Sequence, residues 1–341
     1  MKTIGVHTPN PKDATSFYRA FGPFSELTKD FNVIIMDQKP LTWVDVAPID
    51  ILFLHRPFSE THAQMADMAK TAGKKLWLDF DDDLFNVHHS NKNFHRYDNP
   101  QVANLIKSII RKADIVTSST SPLCEMYRET SKNPHDMVIE NAIPDHITAG
   151  LHVKSAKRLP RKMVLWRGTE HHEMNLLYFK DQIIKAIKEF PDWVFCFMGY
   201  RPWYIMEHGN PGQSWFTLEP EILNYLGRLT EINAAIQIVP LADTVFNRAK
   251  SSIAYMEGAA FGGSMCIAPD WPEWSRHKGI ALYDPKDRQS FFAALKQSME
   301  LSNKERALFQ NQAHEYVLNE CLVSKTNKAR RQVIEYLSRS A

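Results

Sequence analysis

Apolar and polar positions along the chain alternate in a way that predicts short buried strands separated by amphipathic helices. In the first part of the sequence, brief apolar runs indicate strands, and apolar residues at three- and four-residue spacing indicate helices. The predicted strands are 3–7, 33–36, 49–54, 75–80, 115–118 and 138–140. The predicted helices are 16–29, 60–72, 101–112 and 122–130. Regular alternation of this kind predicts an α/β fold with a doubly wound parallel sheet.

The same pattern restarts after a basic stretch, which predicts a second domain. The predicted strands are 163–166, 193–198, 236–239 and 265–268, and the predicted helices are 174–189, 219–229 and 303–338, the last with a break near 322–326. Residues 201–218 are rich in Pro, Trp and Gly and are interpreted as an irregular loop. The predicted organisation is an N-terminal domain over 1–150, a linker over 151–162, a C-terminal domain over 163–318 and a terminal helix over 319–341. We expect that helix to pack back on the N-terminal domain, and a ligand-binding cleft to lie between the domains.

The segment 236–274 carries the strongest candidate chemistry. One apolar stripe at helical spacing predicts an amphipathic helix, and it consists of Val245, Ala249, Ile253, Met256 and Ala260. A second stripe carries Asn247, Lys250 and Glu257. On a helix, Lys250 and Glu257 would lie about 10 Å apart along the axis, about the distance from a diphosphate to the ribose of the same nucleotide. A cation suits phosphate and a carboxylate suits sugar hydroxyls. The alternative is a solvated helix face without a ligand.

Composition limits the class of protein. Of 341 residues, 44% are hydrophobic and 23% charged, which is typical of a globular protein in solution. The net charge of +2 does not require a nucleic acid partner and does not exclude one. The four cysteines have no metal or disulfide spacing, so we expect reduced thiols and a cytoplasmic location. The apolar run in residues 1–13 is too short for a secretory signal, and no window approaches 18 apolar residues, so we expect the chain to work in solution or on a surface.

An acidic run follows the predicted strand 75–80. Asp79, Asp81, Asp82 and Asp83 fall within five residues, so the carboxylates repel one another unless they lie in water, beside cations or at a functional site. Carboxylates suit Mg²⁺ or Mn²⁺, but no other ligand pattern supports a metal site, and we predict none. Because they follow a predicted strand, Asp81 and Asp82 are candidates for a functional site at the cleft edge of the first domain. A solvated acidic turn remains the alternative.

Three histidines follow the acidic run: His88, His89 and His95. Their spacing invites a metal interpretation, but the Asn-rich sequence between them favours a mobile loop.

Several motifs resemble retaining glycosyltransferases of the two-domain GT-B type, and most closely the "group 1" family. They are 246–251 (FNRAKS), 256–260 (MEGAA), 16–27 (SFYRAFGPFSEL), 113–117 (ADIVT), 139–144 (IENAIP) and 165–169 (LWRGT). The resemblance implies two Rossmann-like domains facing a cleft, a nucleotide-diphosphate sugar as co-substrate, no tightly bound cofactor, no required metal and retention of the anomeric configuration.

The resemblance assigns the ribose hydroxyls to Glu257. Lys250 is then the candidate catalytic cation at the leaving diphosphate, together with Asp81 and Asp82 at the acceptor edge. The further candidate donor-binding residues are Arg167, Gly168, Thr169, Asn247, Ser251 and Asn141. Ser16, Tyr18 and Arg19 are candidates for the acceptor or phosphate side. For Arg167 a surface salt bridge is the alternative. Many relatives carry a second glutamate where this chain has Ala249, so the transferred sugar is not predicted.

The acceptor is open between a glycan and a hydroxymethylated base in phage DNA. Basic runs at 154–162 and 325–331 could follow a phosphate backbone, although basic linkers and tails are commonly just solvated. Two other functional classes remain: a nucleotide- or sugar-binding module that lacks turnover, and a GT-B-fold epimerase or phosphorylase.

Overall fold

The first half of the chain forms a six-stranded, wholly parallel sheet. The computed structural model of the protein describes residues 1–10, 12–36, 41–87, 94–148, 161–208, 214–217 and 221–339. The strands are β1 (Thr3–His7), β2 (Asn32–Ile35), β3 (Ile51–His55), β4 (Lys75–Phe80), β5 (Ile115–Ser118) and β6 (Met137–Val138). Their order across the sheet is β2-β1-β3-β4-β5-β6. The order reverses between β1 and β3, and in open α/β sheets ligands bind at such a point, outside the carboxyl ends of the strands.

A second parallel sheet of six strands follows. Its strands are β7 (Arg161–Gly168), β8 (Val194–Gly199), β9 (Ser214–Thr217), β10 (Ala234–Ile238), β11 (Met265–Pro269) and β12 (Ile280–Tyr283), in the order β12-β11-β10-β7-β8-β9. The order reverses between β7 and β10. The prediction of two α/β domains with doubly wound parallel sheets is therefore confirmed.

Helices connect the strands of the first sheet. They are Ala14–Ser16, Gly22–Ser25, Trp43–Val46, Glu60–Thr71, Phe94–Tyr97, Pro100–Lys112, Ser121–Ser131 and Asp145–Thr148, with a π-helical turn at Phe17–Phe21. Local chemistry explains where the longer ones begin. The Ser59 hydroxyl accepts from the His62 amide. Asn99, the residue before Pro100, accepts from the Gln101 amide through its side chain. Such caps satisfy amides that have no partner inside the helix.

Helices also cover the second sheet and form the tail. They are Glu173–Tyr178, Lys180–Glu189, Trp203–His208, Ile222–Ile232, Val245–Arg248, Ile253–Glu257, Pro272–Ser275, Arg288–Glu300, Asn303–Glu320 and Val323–Arg339. A 3₁₀ turn lies at Glu170–His172 and a second π-helical turn at Gly258–Gly262. The last helix packs on the first domain, where Val333, Ile334 and Leu337 are buried against a cluster that includes Phe24 and Trp77.

Four sequence predictions of local structure are wrong. Residues 201–218 were expected to be an irregular loop, but they include the helix Trp203–His208 and the edge strand β9. The predicted helix 16–29 ends at Ser25. Residues 161 and 162, assigned to the linker, begin β7, while 151–160 lie outside the described residues. The amphipathic helix predicted from Val245 is two helices with a break at 249–252.

The sequence patterns also missed elements near the end of the second sheet. The strand β12 and the helix Arg288–Glu300 were not predicted. Across the described part of the chain, no helix is both long enough and apolar enough to cross a membrane.

Two glycines give opposite expectations for stability. Gly279 has φ +63°, and a Cβ there would lie 2.0 Å from the Phe309 carbonyl oxygen and 2.6 Å from the Ala313 amide nitrogen. Because both neighbours are backbone atoms, they cannot move aside, and Gly279→Ala should lower the free energy of unfolding by about 2 kcal/mol or more. Gly227 lies in a helix, and a Cβ added there would have nothing within 4 Å. Gly227→Ala should therefore raise the free energy of unfolding by about 1 kcal/mol. Urea denaturation of both variants measures the difference, and equal stabilities would contradict this packing.

Candidate functional site

A cavity of about 230 Å³ lies between the two domains, at the carboxyl ends of strands from both sheets. Nine of the predicted site residues line it: Tyr18, Asp81, Asp82, Asn141, Arg167, Gly168, Lys250, Ser251 and Glu257. Trp166, His172, Gln237 and Trp274 complete much of the wall on the second domain. We call this cavity the interdomain pocket.

Glu257 occupies the centre of the contact between the domains. Its side chain is buried, with 1% of the residue exposed. The Tyr18 hydroxyl of the first domain donates to Oε1 at 2.6 Å, and the Tyr225 hydroxyl donates to Oε2 at 3.1 Å. The Arg167 guanidinium pairs with the same Oε2 and lies over the Tyr225 ring, 5.3 Å from its centre. Burial raises the pKa of the Tyr18 hydroxyl, and the carboxylate of Glu257 raises it further. The hydroxyl therefore stays protonated and donates the hydrogen bond.

Lys250 lies across the pocket from the Glu257 group and belongs to a different contact. Its Nζ is 3.0 Å and 3.1 Å from the two carboxylate oxygens of Asp82, in the first domain. The same Nζ lies 4.3 Å from the centre of the Phe246 ring. Because the helix is interrupted at 249–252, Lys250 and Glu257 do not share one helical face, and the spacing argument from a continuous helix is wrong. Both side chains nevertheless reach the same pocket.

The helix break has identifiable hydrogen bonds. The Ser252 amide and hydroxyl both donate to Glu273, at 3.0 and 2.8 Å, and Ser252 Oγ lies 2.6 Å from His277 Nε2. Ser251 Oγ accepts from Asn141 Nδ2 of the first domain at 2.7 Å. Serine side chains that bond locally compete with helical backbone bonding, so the chain turns here. The turn brings Lys250 and Ser251 to the first domain.

Ala249 faces the first domain. It is buried against that domain's core, and its carbonyl accepts from the Thr120 hydroxyl at 2.9 Å. The position at which the sequence resemblance led us to expect a glutamate is therefore occupied by an interdomain packing contact.

The four clustered aspartates have four different environments. Asp79 forms a two-pronged pair with Arg19, Asp81 pairs with Arg56 and His55, and Asp82 pairs with Lys250. Asp83 accepts from the Phe85 and Asn86 amides and holds the turn that follows β4. Arg56 also lies 3.6 Å from Asp82, so it serves two of the carboxylates, and these cations and amides together offset the mutual repulsion. Among the described residues, no group of His, Cys, Asp or Glu side chains is arranged to hold a metal ion.

Asp81 is held ionised at the pocket wall. Burial by itself would raise its pKa, but the Arg56 guanidinium, 2.9 Å away through Nη2, and His55, at 3.0 Å, lower it well below the usual range. Arg56 directly follows β3 and has φ +46°, a left-handed conformation that is uncommon for a residue with a side chain. Arg56 was not predicted. Its position just after a predicted strand could have identified it, because ligands of parallel sheets bind at the carboxyl ends of strands.

Four predicted residues have other surroundings. Arg19 is buried and donates to Asp79, to the Ile139 carbonyl and to Asn141 Oδ1. It therefore fixes the position of Asn141, which lines the pocket, without lining the pocket itself. Ser16 is buried and donates to the Asn10 carbonyl. Asn247 is buried and donates to Asn175 Oδ1 at 2.7 Å, and Thr169 is exposed before the 3₁₀ turn. None of the four lines the interdomain pocket.

The histidines and basic runs named from the sequence contribute less. His88 and His89 lie outside the described residues, and His95 lies in the short helix Phe94–Tyr97. Of the two basic runs, 154–160 also lies outside them. In the other, Arg330 is buried and Arg331 pairs with Asp30 at 2.6 Å, so both help to pack the last helix on the first domain.

His172 supplies a neutral polar group to the pocket. Burial, followed by Lys250 and Arg167, lowers its pKa to about 3. The imidazole is therefore uncharged near neutral pH and can donate one hydrogen bond without adding a charge.

Buried histidines also make stability depend on pH. Burial and Arg276 lower the pKa of His277 to about 3, whereas an unfolded chain has a value of about 6.5. As pH falls below about 6.5, the unfolded state takes up a proton that the folded state does not, so stability is lost on acidification. His277→Gln should make the drop in unfolding free energy between about pH 7 and about pH 5 smaller by about 2 kcal/mol. Urea denaturation at both pH values tests this, with the exposed His135→Gln as control. An identical drop in wild type and His277→Gln would contradict the assignment.

No protein-family model matches the chain, and no curated protein matches it. Similarity appears among solved structures. Sucrose-phosphate synthase from Thermosynechococcus elongatus is 12% identical, with all of both chains covered and a TM-score of 0.69. A UDP-forming α,α-trehalose-phosphate synthase from Burkholderia vietnamiensis is 10% identical, covering 99% of this chain and 98% of that one, with a TM-score of 0.65. The E. coli trehalose-6-phosphate protein bound with UDP-2-fluoro glucose is 10% identical, covering 99% of both, with a TM-score of 0.64. The chain therefore has the two-domain GT-B fold of these glycosyltransferases.

Proposed function

We propose that the protein is a nucleotide-sugar-dependent glycosyltransferase that transfers a sugar to an acceptor hydroxyl. The observation that carries the proposal is the convergence of Glu257, Arg167 and Lys250 in the interdomain pocket. One carboxylate and two cations match the ribose hydroxyls and the diphosphate of a single donor. The similar E. coli structure holds UDP-2-fluoro glucose, so a UDP-hexose is the first donor to test.

In this proposal, the donor lies mainly on the second domain. Glu257 accepts hydrogen bonds from the ribose, and Arg167 and Lys250 neutralise the diphosphate, with Gly168 and Ser251 beside them. Both cations are already paired with carboxylates, Arg167 with Glu257 and Lys250 with Asp82. Phosphate oxygens would compete for the same guanidinium and ammonium groups. Donor binding then requires local rearrangement of these pairs.

The acceptor hydroxyl is proposed to approach from the first domain, at Asp81 and Asp82. Asp81 stays ionised beside Arg56, so it can orient a hydroxyl as a hydrogen-bond acceptor. We expect retention by front-face attack, with the departing phosphate helping to take the acceptor proton. Catalysis would then depend on positioning and on stabilising the leaving diphosphate. A neutral His172 adds a hydrogen-bond donor without further charge.

A binding module without turnover is the second candidate, and Ala249 favours it. A side chain that many relatives direct to the transferred sugar is missing, and the position packs on the first domain. The two candidates differ in slow hydrolysis of a sugar nucleotide. A glycosyltransferase transfers the sugar to water at a low rate, whereas a pure binder leaves the donor intact.

Glu257→Gln tests the ribose contact. The amide keeps the shape of the side chain but removes the charge, so UDP should bind about 10- to 100-fold more weakly. Isothermal titration calorimetry with UDP gives the dissociation constant. Glu231→Gln, at an exposed position of the same domain, is the control and should bind UDP like the wild type. Equal affinities in the wild type and Glu257→Gln would remove Glu257 from the donor site.

Lys250→Met tests stabilisation of the leaving group. Removal of one transition-state cation should lower the rate of donor hydrolysis about 100- to 1,000-fold, with a smaller change in UDP affinity. Release of UDP from UDP-glucose and from other sugar nucleotides gives the rate, and Lys185→Met on an exposed helix face is the matched control. Wild-type turnover in Lys250→Met would assign Lys250 to domain contact alone. Absence of hydrolysis of every donor by the wild type would favour the binding module.

A further inference from the structure

A second cavity of about 550 Å³ lies on the C-terminal domain, beside the interdomain pocket. The helix Glu173–Tyr178 forms one side, and the loop after β10 with the helix Val245–Arg248 forms another. Lys286, which follows β12, reaches its edge. We call it the C-terminal cavity.

The two cavities are separated by side chains that contact each other. The Phe246 ring lines the C-terminal cavity, and its centre lies 4.3 Å from Lys250 Nζ, which lines the interdomain pocket. His171 lines one cavity and His172 the other, and Asn175 Nδ2 lies 3.5 Å from His172 Nδ1. A ligand that extends past Lys250 and Phe246 can therefore enter the C-terminal cavity.

The lining of the C-terminal cavity combines aromatic rings with a rigid amide floor. Tyr178 and Phe246 are both half-buried and line the cavity. Each ring has a cation over one face, Arg288 at 5.4 Å from the Tyr178 ring centre and Lys250 at 4.3 Å from that of Phe246, which leaves the other face for a ligand. Beneath them, Asn247 donates to Asn175 Oδ1 at 2.7 Å and to the Ala242 carbonyl at 2.9 Å, and the Ala242 amide donates back to Asn175. Because these amides satisfy one another, the floor keeps its shape without a ligand.

The charges at the cavity mouth are nearly balanced. Asp243 binds Arg248 through two hydrogen bonds, at 2.5 and 2.7 Å, and Lys286 lies nearby. This is a poor surface for a polyanion, which needs a row of unpaired cations. It suits a neutral polyol, whose hydroxyls can bond to a carboxylate and an ammonium. The C–H face of a pyranose ring also packs favourably on the negative face of an aromatic ring.

We propose that the C-terminal cavity binds a saccharide unit of the acceptor, next to the unit whose hydroxyl reacts. This inference rests on the proposed glycosyl transfer and names its acceptor class as an oligosaccharide. The reacting hydroxyl lies near Asp82 and Lys250, and the neighbouring sugar stacks on Tyr178 and Phe246. The acceptor therefore contacts both domains, while the nucleotide remains in the interdomain pocket.

The test uses four neutral tetrasaccharides as probes: maltotetraose, isomaltotetraose, cellotetraose and chitotetraose. Saturation-transfer NMR with the full chain and UDP should detect binding of at least one of them. Tyr178→Ala should weaken that binding about tenfold. Asp243→Asn, which keeps the shape of the side chain, should also weaken it. Trp203→Ala removes a surface aromatic outside the cavity and should bind as the wild type does.

UDP affinity, measured in the same variants, separates this inference from the proposed function. Unchanged UDP binding with weakened saccharide binding supports the inference. It is overturned if no tetrasaccharide binds the wild type, if Tyr178→Ala and Asp243→Asn bind the probe as tightly as the wild type, or if both variants lose UDP instead. Binding of a DNA duplex without any saccharide would overturn it as well. Failure of the wild type to bind any nucleoside diphosphate would instead count against the proposed function.

Discussion

The buried carboxylate of Glu257 is the interaction on which the arrangement of the cleft depends. A carboxyl group with 1% exposure is stable only with close hydrogen-bond partners, because its burial without them is costly. One partner, Tyr18, comes from the first domain, and two, Arg167 and Tyr225, come from the second. The requirement to pair this carboxylate therefore fixes side chains from both domains around a single point. Tyr18 pairs with one carboxylate oxygen, and Arg167 and Tyr225 share the other, so loss of Tyr18 removes the bond from the first domain.

The backbone on both sides of this contact is irregular. Tyr18 lies in one π-helical turn, and a second π-helical turn begins directly after Glu257. The break at 249–252 brings three successive residues to the first domain: Ala249 bonds Thr120, Lys250 bonds Asp82 and Ser251 bonds Asn141. π-helical turns are rare and frequent at functional sites. Under the proposed function, this short segment holds both the donor and the opposite domain, so donor affinity and domain contact are coupled.

The sequence predicts the layered fold well because buried parallel strands are short apolar runs, which neighbouring Gly and polar residues delimit. It predicts the pocket's principal groups, Lys250, Glu257, Arg167 and Asp82, because each belongs to a strand end or a recognisable motif. It fails where distant partners decide the structure. Nothing near Arg19 in the sequence indicates that Asp79, sixty residues away, buries its charge. The break at Ser252 depends on Glu273 and His277, and Tyr225 lies in an ordinary amphipathic helix.

The most direct measurement is a crystal structure of the protein with the nucleoside diphosphate that stabilises it most in a thermal-shift comparison of UDP, GDP, ADP and TDP. We expect the ribose hydroxyls to lie within hydrogen-bond distance of Glu257, with Arg167 and Lys250 at the diphosphate. A nucleotide bound elsewhere, or no stabilisation by any of the four, would contradict the claim that the interdomain pocket is a sugar-nucleotide site.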